Sequence, residues 1–65
     1  MNYKKKLKER YKRTCKIIEL DHKYLEDFGA LLTEEAKAIM QAEIDLLIIQ
    51  KIDIEDEAKK AGVIL

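Results

Sequence analysis

Apolar residues recur at helical spacing along most of this 65-residue chain. In the first half, Tyr3, Leu7, Tyr11, Ile17, Ile18, Leu20, Tyr24, Leu25 and Phe28 fall within about half the circumference of a helix drawn at 100° per residue. That pattern predicts an amphipathic helix. Asp21 projects to the middle of the same arc, where a carboxylate needs a partner or a wet cavity. In the second half, Ala36, Ile39, Met40, Ile44, Leu46, Leu47, Ile54, Ala58 and Ala61 form one broad apolar face. Ile48, Ile49 and Ile52 carry apolar character round to the other side. A helix that is apolar nearly all round is covered on more than one side. One neighbour from the same chain cannot supply that cover, so the chain is expected to self-associate through Ile44, Ile48, Ile49 and Ile52.

Two boundary signals stand side by side. Gly29 follows the last apolar position of the first segment and reads as the residue just past a helix end. Thr33, followed by Glu34 and Glu35, reads as an N-cap with carboxylates in the first turn. Helices are therefore predicted over about 3–28 and 34–61, with a loop at 29–33. A connection that short makes an antiparallel helical hairpin. Gly62 is expected to end the second helix, leaving Val63, Ile64 and Leu65 as an apolar tail that docks. The expected fold is all-α: one domain over 1–65, an antiparallel two-helix hairpin dimerising into a four-helix bundle.

Composition strengthens this picture. The chain has no Pro and only two Gly, which favours helix. At this length the core of a monomer is marginal and oligomerisation commonly helps. The one Cys excludes an internal disulfide framework and suits a reducing compartment. The most apolar run, Ile44 to Ile54, is interrupted by Asp45, Gln50, Lys51 and Asp53 and is too short to cross a bilayer. The expected location is cytoplasmic, with no membrane partner.

Charge adds a second pattern. Residues 1–16 carry eight Lys or Arg against one acid, a net of +7, and residues 17–65 carry five basic and twelve acidic side chains, a net of −7. In an antiparallel hairpin Lys6, Lys8, Arg10 and Arg13 run beside Asp53, Glu55, Asp56 and Glu57, so much of the split is matched inside the fold. Each exposed pair is worth about 0.2–1 kcal/mol, which orients the helices more than it stabilises them. Lys5, Lys8, Lys12, Lys16 and Lys23 project the opposite way. They form a stripe that the second helix cannot neutralise, suited to an anionic or acidic partner.

No catalytic set is apparent. Glu19 and His22 have the i, i+3 spacing of carboxylate-bridged metal bundles, with Glu43 near the same level, but Glu19 projects about 160° from the apolar arc. Cys15 lies between Lys12 and Lys16 with no base to activate it. Neither a metal nor a cofactor is expected. Tyr3, Arg10 and Tyr11 lie close enough to line a cleft for an anionic small molecule such as a nucleotide. The leading expectation is a non-enzymatic, self-associating helical regulator or inhibitor that binds another protein, a kind of protein common in phage and plasmid genomes. The alternatives are sequence-nonspecific binding of RNA or DNA, by analogy of size and architecture with plasmid RNA-binding regulators, and sequestration of an anionic ligand between subunits.

Overall fold

The computed structural model describes residues 2–65. It holds two long helices lying side by side in a rod of 43 × 16 × 15 Å, with no strand among the described residues. Helix α1 runs Tyr3–Phe28 and helix α2 runs Glu34–Ala61. Asn2 caps α1: it is extended, and its side-chain oxygen accepts the Lys5 N–H at 3.2 Å. This satisfies one donor that a helix start leaves unpaired. The first turn of α1 contains no acid and its last turn no base, so α1 opposes its own macrodipole at both ends. The acidic stretch 53–57 of antiparallel α2 lies beside its basic start and offsets that.

Gly29 is the residue just past the end of α1, as expected, but not in the left-handed conformation of a glycine cap. Gly29 is right-handed (φ −56°, ψ −37°), and its N–H still donates to the Leu25 carbonyl. α1 ends at Phe28, whose backbone leaves helical geometry (φ −120°, ψ 1°); a 3₁₀ turn follows over Gly29–Leu31, and the chain becomes extended at Leu32 (φ −94°, ψ 150°). The start of α2 then fixes the exit from the 3₁₀ turn. Thr33 must be extended to cap α2, and its hydroxyl oxygen accepts the Ala36 N–H at 3.1 Å.

At the far end of α2 the sequence signals and the geometry agree. Glu34 and Glu35 occupy the first turn and Lys59 and Lys60 the last, each favourable to the helix dipole. Gly62 is left-handed (φ 69°, ψ 30°). Its N–H reaches the Lys59 carbonyl at 3.3 Å, while the Val63 N–H reaches the Ala58 carbonyl at 2.8 Å. That bond pair, with Val63 packed on Ala58, is a Schellman cap. The tail docks only in part: Val63 is buried, Ile64 is 87% exposed and Leu65 is 42% exposed.

The core sits mostly at this open end, where Leu7, Ile54, Ala58 and Val63 cluster with Tyr11 packed against them. Burying a Leu or Ile there stabilises by about 1.5–3 kcal/mol each. Thr14 is buried at mid-length, its hydroxyl donating to the Arg10 carbonyl at 2.9 Å, so this buried hydroxyl is not orphaned. Ile44 is completely buried. Asp21 is only partly covered and lies at the rim of an open groove with Glu43 and Gln50. Its carboxylate thus reaches solvent and avoids the cost of burial.

Candidate functional site

Lys5, Lys8, Lys12, Lys16 and Lys23 are all exposed. Leu7 and Thr14 turn towards α2, so at 3.6 residues per turn Lys5, Lys12 and Lys16 turn away from it. Among the described residues the two ion pairs are Lys37–Glu34 at 3.0 Å and Lys60–Asp56 at 3.3 Å, both within α2. None of the five stripe lysines takes part in one. The stripe is not uniform. Lys23 stands one turn from Glu19, Glu26 and Asp27, at spacings where helical charges compensate. The stretch Lys5 to Lys16 is compensated only in part, by Glu9 one turn from Lys5 and Lys12 and by Glu19 one turn from Lys16, and it stays net positive. A shallow depression on this face is lined by Glu9, Lys12, Arg13, Cys15, Lys16 and Glu19, so acids edge the cations.

The charge match between helices takes an unexpected form. Among the described residues no Lys or Arg of α1 forms an ion pair with α2; two acids of α2, Glu55 and Glu57, are held by phenols of α1. The Tyr3 hydroxyl donates to Glu57, and the Tyr11 hydroxyl donates to Glu55 Oε2 at 2.7 Å. Asp56 pairs with Lys60 in its own helix. The hydrogen bond to Glu55, helped by desolvation and the carboxylate charge, pushes the Tyr11 phenol from 10.0 up to about 12. Tyr3 is raised in the same way by its bond to Glu57, with Arg10 opposing.

These bonds bear on the expected anion cleft of Tyr3, Arg10 and Tyr11. Each phenol donates to a carboxylate, and that negative charge repels an anionic ligand. The residues also separate. Arg10 lines a groove of about 300 Å³ with Arg13, Thr14, Gln50 and Asp53. Tyr11 lines another, of about 380 Å³, with Lys8, Lys12, Cys15, Ile64 and Leu65.

The isoleucines assigned to an interface divide as well. Ile44 has no exposed surface and belongs to the hairpin's own core, and Ile48 is half-covered. Ile49 and Ile52 are 54% and 55% exposed. Sequence reasoning missed a second apolar group: Leu20, Tyr24 and Phe28 of α1 and Ile39 and Leu46 of α2 are all exposed. The available signal was the width of the α1 arc, since half a circumference is more than one neighbouring helix covers. Glu19 and His22 are exposed, and no three His, Cys, Asp or Glu side chains among the described residues cluster as metal ligands. Among the described residues no helix is long and apolar enough to cross a membrane. Compared with known proteins, the chain matches no family model, no curated protein and no solved structure.

Proposed function

We propose that this chain is a self-associating helical hairpin that regulates or inhibits another protein by binding it through the Lys5–Lys16 face, without catalysis. The observation that carries self-association is surface area. The chain exposes 5240 Å², whereas a compact monomer of its mass exposes roughly 4,300 Å². The excess, about 900 Å², is close to the ~800 Å² that each partner buries in a standard-size interface. Much of what is exposed is apolar: Tyr24, Phe28, Ile39 and Leu46 towards one groove, and Ile49 and Ile52 on the outer side of α2.

The lysine face stays uncovered when the apolar surface is used for self-association, so each protomer presents one. Glu9 and Glu19 beside Lys12 and Lys16 favour an acidic protein surface with some positive charge of its own. A phosphate backbone would meet repulsion from both acids. A pull-down from host lysate, with and without nuclease, tests this against the triple variant Lys5→Glu, Lys12→Glu, Lys16→Glu. The wild type should retain a protein partner after nuclease treatment and the variant should lose it while remaining helical. Loss of the bound material with nuclease would establish the nucleic-acid reading, and undiminished capture by the variant would remove the stripe from the site. Sedimentation of the wild type should give a dimer, and a monomer at micromolar concentration would refute self-association.

A further inference from the structure

One groove runs along the hairpin between the helices. Its α1 edge is the row Arg10, Arg13, Ile17, Asp21, continued at spacings of three and four by Tyr24 and Phe28. Its α2 edge carries Ile39, Glu43, Leu46, Gln50, Asp53 and Glu57 at the same spacings. The two halves differ in kind. Towards the open end, cations on the α1 edge lie across from acids on the α2 edge. Towards the turn, the edges are apolar, with the rings of Tyr24 and Phe28 in contact on α1, tilted by 41° at 5.0 Å between centroids, and Ile39 exposed on α2.

We infer that this groove seats a second copy of the chain in parallel, turn beside turn, with α1 of each protomer resting on α2 of the other. The inference rests on the self-association proposed above and adds the face and the orientation. A two-fold axis along the rod brings the α1 edge of one copy over the α2 edge of its partner at the same level. Arg10 and Arg13 then meet the partner's Asp53 and Glu57, and Tyr24 and Phe28 meet the partner's Ile39, on both sides of the axis. Every neighbouring helix pair in the resulting bundle is antiparallel. The head-to-tail alternative has its axis across the rod. It lays charged halves on apolar halves, desolvating Arg10 and Asp53 against partner side chains that bring no opposite charge.

One level of the parallel arrangement is repulsive, and it makes the orientation testable. Asp21 and Glu43 line the same stretch of groove, so the parallel dimer brings two copies of each together, four carboxylates at one level, with Arg13 of each chain about two turns away along α1. Head-to-tail, centred on Ile17, Asp21 instead faces the partner's Arg13. The variant Asp21→Asn, Glu43→Gln should therefore lower the dimer dissociation constant several-fold if the copies are parallel, and raise it if they are head-to-tail. The direct measurement places a spin label at exposed Ala30 in the turn, as Ala30→Cys in a Cys15→Ser background whose helicity matches wild type. Helices pack 8–10 Å apart, so parallel turns put the labels about 10–25 Å apart, whereas head-to-tail copies separate them towards the 43 Å length of the rod. A short distance together with tighter association of the carboxamide variant supports the inference. A dimer with a long distance, or a weakened carboxamide variant, overturns the orientation and leaves self-association standing. A monomer overturns the self-association on which the inference rests.

Discussion

The two ends of this hairpin carry similar apolar patterns and come to different states. At the open end, Leu7, Ile54 and Ala58 are covered because Val63 folds back over them through the Gly62 cap. At the turn end, no residue between Thr14 and Ile44 is buried, and Tyr24, Phe28, Leu31 and Ile39 remain exposed. Two helices alone form a single layer on each side of their contact, which leaves flanking apolar rows open to water. The tail supplies a third element at one end, while the 3₁₀ turn is too short to supply one at the other. One end is thus finished within the chain and the other needs a partner.

The largest effect expected from this contrast is on stability. Leu7→Ala removes a fully buried side chain and should cost about 2–5 kcal/mol, a large part of the ~3–10 kcal/mol typical for a chain of this size. Phe28→Ala, at 46% exposure in the turn half, should leave urea unfolding of the dilute monomer almost unchanged and instead weaken association. Both are read by denaturation at fixed, low chain concentration, with sedimentation alongside. Equal losses of monomer stability at the two ends would erase the contrast.

The glycines sharpen it with opposite signs. Gly62 is the one described residue with positive φ, 69°, a geometry that costs a side chain about 1–2 kcal/mol. Gly62→Ala should therefore destabilise by about that amount and loosen the Val63 tail. Gly29 is right-handed, and a Cβ there meets nothing within 4 Å. Gly29→Ala should raise stability by about 0.4–1 kcal/mol, through the entropy of the unfolded chain. Thermal melts of the two variants should move in opposite directions from wild type.

These positions also mark what the chain reveals by pattern alone. The helices and their packing are legible because apolar period, the Thr33 cap and first-turn acids all point one way. Gly29 marks the end of α1 correctly, but its conformation is not legible, because a glycine near a helix end looks the same in sequence whether or not its φ is positive. The interhelical charge match is legible as a trend, but its partners are not. A helical projection assigns cations to acids by proximity and overlooks the phenols of Tyr3 and Tyr11, which reach the carboxylates first. Ile44 is misassigned for a related reason. Its place at one edge of a broad apolar belt does not say which edge the first helix will cover. The lysine stripe is legible as exposure, whereas its interruption near Lys23 emerges only when Glu19, Glu26 and Asp27 are placed on the same face.

The smallest effect, and the most local, concerns the phenol that joins the two helices at the open end. Tyr11 ionises at about 12 instead of 10.0, chiefly because its hydroxyl donates to Glu55. A phenol whose pKa is raised by folding favours the folded state below its ordinary pKa. That contribution disappears as pH rises through the folded value, here between about 10 and 12. Above it, tyrosinate and Glu55 carry like charges across the helix contact and push the open end apart. Spectrophotometric titration should show a tyrosinate component near 12 that is absent from Tyr11→Phe. The variant should also give up part of the wild type's margin at neutral pH and lose nothing further by this route in alkali. A high-pH component surviving in Tyr11→Phe at full amplitude would mean that the Tyr11–Glu55 bond does not hold the helices together in solution. The open end would then depend on its apolar core and the Val63 tail alone.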